Sequence, residues 1–288
     1  MNYNTRYNRR AYSSAYPGFL IFLIDQGCND VELANLIVDI ANHTIFDIII
    51  RNRAGERPKN RCFISIIGYS DNVKELCSGW LRDLDENPTC YKTLKKKAVD
   101  SEGAVCEVEI KRPIWVEPIS DTTSQDGATN MLDALSLAKD LAGQWISDNP
   151  DGPSPIIINI SNGVPFYNRK APYLCMQESI KKADEIKTLS NANESVLLLN
   201  VVLSPMLDSQ RIRNKYLDVE NFAAKISSDI PVELMNELER LLLRHNLDLS
   251  FFLSMKSWYV YGDTQQANVF LNLVTDILFS HIAGEVGQ

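Results

Sequence analysis

Three short polar segments of the chain carry the side chains that are best suited to bind a ligand. They are Asp25-Gln26-Gly27-Cys28-Asn29, Asp126-Gly127-Ala128-Thr129-Asn130 and Ser161-Asn162-Gly163. The first and third segments directly follow apolar runs that predict strands, and the second precedes a helical pattern. In open α/β sheets, ligands bind beyond the carboxyl ends of the strands. We therefore expect the three segments to converge at that edge and to form the binding site.

Cys28 offers a second kind of chemistry, because it lies between a predicted strand and a predicted helix. A helix amino terminus lowers the pKa of a thiol and favours the nucleophilic thiolate. A nucleophilic cysteine also needs a nearby base or an anion-binding arginine. Ala34 stands where a phosphatase-like C-x₅-R pattern needs arginine. His43 lies about four turns along the same helix, His245 lies in a charged stretch, and His281 lies near the C-terminus. An enzyme that uses Cys28 is therefore the least favoured hypothesis.

Composition and charge limit the class of protein. The chain has 288 residues, of which 45% are hydrophobic and 23% charged, as in soluble globular proteins. The 29 basic and 37 acidic side chains give a net charge of −8, which disfavours nucleic acid and anionic lipid as partners. The longest uninterrupted apolar stretch, Phe19–Ile24, is far shorter than the roughly 20 residues of a membrane-spanning helix. No basic-then-apolar leader precedes it, so neither a signal peptide nor a membrane anchor is predicted.

The six cysteines indicate the cellular compartment. They lie at positions 28, 62, 77, 90, 106 and 175 without a C-x₂-C pair, which argues against a zinc ribbon. Cys62 and Cys106 lie inside apolar runs, where a free cysteine behaves as a small buried hydrophobe. We therefore expect a reducing, cytoplasmic location.

Strands and helices alternate along most of the chain. Apolar runs predict strands buried on both faces at Gly18–Asp25, Cys62–Tyr69, Pro155–Ile160 and Ser195–Leu203, with a short last strand at Trp258–Tyr261. Helical spacing predicts helices over Val31–Ile50, Met131–Ile146, Gln177–Leu189, Pro231–Arg244 and Ala267–Ile282. This alternation predicts a mostly parallel sheet with helices on both faces.

Two regions depart from this alternation. Residues 72–118 are predicted to hold a hairpin or edge strand, because Val105–Ile110 alternates with period two. Lysines at positions 92, 95, 96 and 97 suit a solvated hairpin edge. Residues 1–17 carry four tyrosines and three arginines but no acidic residue, which predicts a disordered arm. Docking of this arm to a partner or to nucleic acid is the alternative. Residues 18–288 are predicted to form one domain.

The three polar segments resemble those of von Willebrand factor A (vWA) domains, specifically the stand-alone bacterial vWA proteins. In that family D-x-S-x-S, a later threonine in a G-G-T context and an aspartate in a T-D-G turn form a metal-ion-dependent adhesion site. Here the segments read D-Q-G-C-N, D-G-A-T-N and S-N-G, and GFLIFLIDQ, FISIIGYSDNV, WVEPIS and PIIINISNG also fit. The resemblance spans about residues 18–282. It implies a Rossmann-like three-layer sandwich with a central sheet of about six strands, one antiparallel at an edge.

The resemblance also implies that the metal site is degenerate. Asp25 and Thr129 keep the family's first carboxylate and its hydroxyl, whereas Gly27 and Asn29 replace both serines and Asn162 replaces the far aspartate. Magnesium prefers anionic oxygen ligands in octahedral geometry, so we expect no tightly bound metal.

A weak or remodelled Mg²⁺ or Mn²⁺ site is the alternative. Its ligands would be Asp25, Asn29, Thr129 and Asn162, with Asp126 or Asp30 restoring charge. Serine at positions 27 and 29 together with aspartate at position 162 is then expected to create Mg²⁺ affinity.

The function that the resemblance implies is recognition of other proteins. We expect a non-catalytic adaptor of a bacterial signalling, stress-response or phage-defence system, whose partner is a phosphatase, a kinase or a defence component. Its partner-binding face would hold Asp25, Gly27, Asn29, Thr129, Asn162 and Phe166, with Phe166 and Tyr167 as apolar anchors on an exposed loop. A metal-dependent ligand binder is the alternative, and an enzyme using Cys28 or Asp25 is less favoured.

Overall fold

The structure, a computed structural model, describes residues 11–99, 105–120, 127–191, 194–203, 218–230 and 256–279. The strands are β1 Gly18–Asp25, β2 Arg53–Ala54, β3 Arg57–Pro58, β4 Cys62–Tyr69, β5 Val73–Trp80, β6 Cys90–Val99, β7 Val105–Ile114, β8 Ile156–Ser161, β9 Ser190–Asn191, β10 Glu194–Ser195, β11 Leu197–Leu203 and β12 Tyr259–Gly262. The helices are α1 Val31–Arg51, α2 Leu81–Glu86, α3 Met131–Asp148, α4 Pro172–Lys187, α5 Val219–Ile226 and α6 Thr264–Phe279.

Six of these strands form one sheet with β1 near its centre. Their order across the sheet is β12, β11, β8, β1, β4 and β5. All neighbours pair in parallel except β5, which runs antiparallel to β4 at one edge. The four apolar runs predicted as strands buried on both faces lie side by side as β11, β8, β1 and β4, and their burial confirms that prediction. The predicted α/β fold, a mostly parallel six-stranded sheet between helices, is also confirmed.

Strand β1 shows why the sheet needs a helix layer on each face. Its alternate residues Leu20, Phe22 and Ile24 pack into a core with α1 and α6. The intervening residues Phe19, Ile21 and Leu23 pack into a second core with α3, α4 and α5. Since successive side chains of a strand point to opposite faces, a continuous apolar run is what two covered faces require.

Helix α1 begins directly after Asp30, which caps it. The Asp30 side chain accepts hydrogen bonds from the backbone N–H groups of Glu32 and Leu33, which satisfies donors that have no partner within the helix. By length and composition α1 could cross a membrane, but 61% of its apolar window is buried within the domain. This burial is typical of a core helix in a globular domain.

Helix α4 begins five residues earlier than the predicted start at Gln177. Pro172 occupies its first turn, a position where the missing N–H of proline costs no helical hydrogen bond. The proline was therefore a usable start signal that apolar spacing alone did not reveal. Of the five predicted helices, Pro231–Arg244 lies outside the described residues.

The irregular region contains both features predicted for it. Strand β5 is the antiparallel edge strand, and β6 and β7 pair as a separate two-stranded hairpin. The side chains of Lys92, Lys95, Lys96 and Lys97 are exposed on β6. The predicted solvated hairpin edge is therefore confirmed.

The last residues of the predicted N-terminal arm depart from the disordered state. Of residues 1–17, only 11–17 are described, and there the Tyr12 side chain is 1% exposed. Its ring lies edge-on to Phe279 and fills the space above Gly18, and its N–H donates to the Leu278 carbonyl. Burial of this aromatic ring offsets the loss of chain entropy, so this part of the segment packs with the domain.

Candidate functional site

The three predicted loops converge at the carboxyl edge of the sheet. The turn after β1 approaches the segment before α3 and the turn after β8, because β1 and β8 are parallel neighbours. The backbone N–H of Asn162 lies 3.4 Å from Oδ2 of Asp25, which joins the first and third loops. Residues 127–130 of the second loop are described, whereas Asp126 lies outside the described residues.

Asp25 lies at the centre of this site and is fully buried. One carboxylate oxygen accepts from the N–H of Gly27 at 3.0 Å, and the other accepts from Asn162. Burial raises the pKa of Asp25 from its usual 3.8 to about 7, although both backbone hydrogen bonds oppose that rise. A carboxylate this poorly solvated is a weak source of negative charge at neutral pH.

Gly27 allows the second loop to pack directly onto the first. A Cβ atom at position 27 would overlap the carbonyl oxygen of Ala128. In the same way the amide of Asn29 occupies the space that a side chain at Gly127 would take, and Gly127 has a φ of 68°. The Ala128 backbone therefore occupies the space that any side chain at position 27 would need. We expected Gly27→Ser to help create a metal site, and this geometry does not allow it.

Thr129 fastens the second loop to the third. Its hydroxyl donates to the Val164 carbonyl at 2.8 Å and accepts from the N–H of Phe166 at 2.9 Å. The backbones of Thr129 and Phe166 also exchange hydrogen bonds in an isolated antiparallel bridge. Thr129 is buried, so its hydroxyl acts within the protein instead of facing a ligand.

Asn162 and Cys28 are also engaged with protein groups. Oδ1 of Asn162 accepts from the N–H of Val164 at 2.8 Å, and the Asn162 side chain hydrogen-bonds the Cys28 sulfur. Burial raises the pKa of the Cys28 thiol above 9.0, even though the N–H of Asp30 and the Asn162 side chain oppose it. The predicted lowering of the Cys28 pKa is therefore wrong, because desolvation outweighs the helix start.

The two predicted aromatic anchors, Phe166 and Tyr167, differ in how far they are exposed. Phe166 is half-buried at the loop face, whereas Tyr167 is buried and its hydroxyl donates to Glu178 at 2.7 Å. Tyr167 is therefore not an exposed anchor, since it fixes the loop from beneath. The next two residues, Asn168 and Arg169, are exposed and both have a φ of 53°, a backbone state that is uncommon for residues other than glycine.

A buried polar chain behind the loops was missed in the sequence. Ser161 hydrogen-bonds the Tyr69 hydroxyl, which donates to Oδ1 of Asn159 at 2.8 Å. Asn159 donates to Asn200 at 2.9 Å, and Asn200 donates to Ser227 at 2.9 Å. The signal was available, because one asparagine interrupts each of the apolar runs IIINIS and LLLNVVL. The chain joins the loop face to the end of α5.

The donor set does not fit a Mg²⁺ or Mn²⁺ ion. Asp25 is the one anionic group among the four predicted ligands, and the oxygens of Thr129 and Asn162 already hold protein hydrogen bonds. Within the described residues, no three His, Cys, Asp or Glu side chains are grouped so that they could hold a metal. Magnesium needs near-octahedral oxygen coordination, and the carbonyl of Ala128 occupies the space where a side chain at position 27 would supply a further ligand.

Comparisons with known proteins add no family assignment. No family model and no curated protein matches the chain. Solved structures that resemble it include manganese-loaded TRAP protein from Plasmodium vivax (TM-score 0.41, 13% identity, 89% of this chain and 72% of that one) and the conserved hypothetical protein BatB from Bacteroides thetaiotaomicron (0.45, 12%, 93% and 100%). The pilus adhesin SpaC from Lactobacillus rhamnosus GG (0.48, 9%) aligns over 94% of this chain but only 31% of its own length. Likenesses this distant carry no argument about function.

Proposed function

We propose that this protein is a vWA-type interaction module, a non-catalytic adaptor that recognises another protein through its loop face without a metal ion. The strand order supports the vWA assignment, because the antiparallel strand β5 lies at the edge where the resemblance implies it. The observation that carries the proposal is the closed site, in which the Ala128 carbonyl and the Thr129 hydroxyl join the loops to one another.

The closed site also gives the loop face its recognition chemistry. Asn29 is exposed, and Asn162 and Phe166 are half-buried, so this face of the protein carries neutral amides and an aromatic ring. Hydrogen bonds from neutral amides do not require a divalent ion. The ring of Phe166 supplies the kind of apolar anchor on which protein interfaces depend.

Free and buried thiols bear on the location of the protein and on the enzyme hypothesis. The cysteines that the structure describes fully are free thiols, in keeping with a reducing cytoplasmic location. The high pKa of Cys28 and the engagement of His43 by Arg112 disfavour an enzyme built on Cys28. We propose a phosphatase, kinase or defence component as the partner.

A co-purification experiment tests the proposal. The tagged protein is used to capture partners from its own cells with and without EDTA, and the captured protein is then purified and its affinity measured. We expect EDTA to leave the affinity unchanged and Phe166→Ala to weaken binding by about 2 kcal/mol or more. Asn162→Ala should weaken it as well.

A matched substitution away from the loop face provides the control. Tyr91 is an aromatic side chain exposed on the hairpin, so Tyr91→Ala should leave the affinity unchanged. Binding that disappears in EDTA would instead support the metal-dependent ligand binder. Binding that is indifferent to Phe166→Ala and Asn162→Ala would contradict the loop face as the interface.

A further inference from the structure

A cavity of about 390 Å³ lies away from the loop face, between helix α1, the β6–β7 hairpin and the start of α6. Helix α1 contributes Leu36, Asp39, Ile40 and His43, whose spacing places them on one face of the helix. Cavities of about 300–1,000 Å³ are typical of sites that bind small molecules. The cavity is therefore large enough for such a ligand.

The hairpin covers this cavity with two cations. Lys92 and Arg112 are directly opposite each other in the β6–β7 pairing, and both line the cavity. Like charges at directly opposed positions of a hairpin repel each other. Asp39 compensates one of them, because its carboxylate lies 3.3 Å from Nζ of Lys92.

Arg112 has no such compensation. Its Nη2 contacts Nδ1 of His43, and its guanidinium lies 5.7 Å from the centre of the Phe46 ring. Its Nε is buried without a hydrogen-bond partner. Among the described residues, none supplies a carboxylate at ion-pair distance from Arg112. The half-buried guanidinium of Arg112 therefore has an unused N–H donor and no anionic partner, so it can bind an anionic group of a ligand.

Leucine and isoleucine side chains form most of the remaining wall, together with the polar residues Asn42, Thr264 and Asn268. Ile40, Leu94 and Ile114 line it, and Leu36 stands at its mouth with 42% of its surface exposed. A ligand that fits both halves of the wall has one anionic group for Arg112 and an apolar body for these side chains. We propose that this cavity binds a small molecule that carries a single carboxylate or phosphate group on an apolar body.

Calorimetric titration with three simple probes tests this site. The full-length protein is titrated with 3-phenylpropionate and phenyl phosphate, which supply the two anionic groups, and with the neutral amide 3-phenylpropanamide. We expect at least one anion to bind and the amide not to bind, with the preferred anion identifying the head group. Binding of the amide as well as of the anions, or binding of neither anion at millimolar concentration, would overturn the proposal.

Variants then locate the binding to this cavity. Arg112→Gln should weaken binding about tenfold or more, because it removes a hydrogen bond between two charged groups. Lys111→Gln is the matched control, since Lys111 carries the same charge on the opposite face of β7. Equal loss in both variants would show general attraction of anions to the hairpin and would contradict the site.

A second pair of variants avoids the half-buried arginine. Leu36→Glu places a negative charge at the exposed mouth of the cavity and should abolish binding of the anion. Ile50→Glu makes the same change on α1 at a residue that is similarly exposed, 40%, and that does not line the cavity. We expect Ile50→Glu to bind as the unaltered protein does. Binding that survives Leu36→Glu would place the ligand elsewhere.

Discussion

At the scale of single residues, the side chains best suited to hold a metal ion in the candidate site already make hydrogen bonds within the protein. Asp25 keeps its carboxylate, but the carboxylate is buried and accepts two backbone hydrogen bonds. Thr129 keeps its hydroxyl, but the hydroxyl joins two loops. The identity of the residues at these two positions therefore does not show whether they bind a ligand. That depends on whether protein groups already use their hydrogen-bonding atoms.

The raised pKa of Asp25 predicts an unusual dependence of stability on pH. Between the ordinary value of 3.8 and the folded value of about 7, the folded state binds more protons than the unfolded state. The free energy of unfolding should therefore fall as pH rises through this window and level off above it. A shift of this size corresponds to at most about 4 kcal/mol. Asp25→Asn should remove this fall, as measured by urea denaturation at pH 5 and pH 8.

The comparison between the two proteins isolates the effect of Asp25, because all other titrating groups are common to both. The unaltered protein should lose stability relative to Asp25→Asn as pH rises from 5 to 8. If the two proteins change in parallel between these pH values, the carboxylate at position 25 is already ionised at pH 5 in the folded state.

Gly27 provides a second prediction at this scale. Gly27→Ala should destabilise the protein by about 1–3 kcal/mol, because the added methyl group overlaps the Ala128 carbonyl and overpacking of this kind forces the backbone to move. Gly143→Ala is the control, since Gly143 lies within α3 with open space around its Cα. That change should stabilise by about 0.5–1 kcal/mol. Thermal and urea unfolding measure both, and a neutral Gly27→Ala would show that the loops are not tightly packed.

At the scale of elements, the buried polar chain links β4, β8, β11 and the end of α5. Asn159 and Asn200 are paired in the register of β8 and β11, so their side chains meet inside a core that is otherwise apolar. Buried polar groups are stable only when they are hydrogen-bonded. The two amides therefore specify the register of these strands as well as contributing to their stability.

A double-mutant cycle measures the coupling between the two amides. Asn159→Leu removes the acceptor of the Tyr69 hydroxyl and the donor to Oδ1 of Asn200. Asn200→Leu removes the acceptor of the Asn159 amide N–H, so each change should cost about 1–3 kcal/mol for each polar group that loses this hydrogen bond. The double variant removes both amides together and should cost less than the sum, by about 0.5–3 kcal/mol. Strict additivity in urea denaturation would indicate that water replaces the lost partners.

At the scale of the whole molecule, apolar runs predicted the central strands and the α/β class, whereas the six-stranded sheet with an antiparallel edge strand was predicted from the vWA resemblance. Gly18–Asp25 and Cys62–Tyr69 are correct to the residue, because a nearly continuous apolar run indicates a strand buried on both faces and polar loops mark its ends. The start of α4 at Pro172 was less clear, since its first turn carries exposed apolar side chains that obscure the period.

The site was predictable only as a location. The segments around Asp25, Thr129 and Asn162 meet as parallel strand order requires, but their chemistry depends on main-chain atoms that carry no sequence signal. The Ala128 carbonyl closes the first loop, and Tyr167 turns inward to Glu178. Residue types alone do not specify either placement, because both follow from the packing of three loops against one another.

The central position of β1 also affects folding during synthesis, because β1 is made before the strand that pairs with one of its edges. Leu20 pairs with Ile156, so the chain must be synthesised as far as β8 before both edges of β1 are paired. Until then an apolar strand offers unpaired N–H and C=O groups to any other nascent chain, and such edges template aggregation. Long-range parallel pairing is also slow to form. We therefore expect the yield of folded molecules to depend on protection of β1, for example by a chaperone, until β8 has been made.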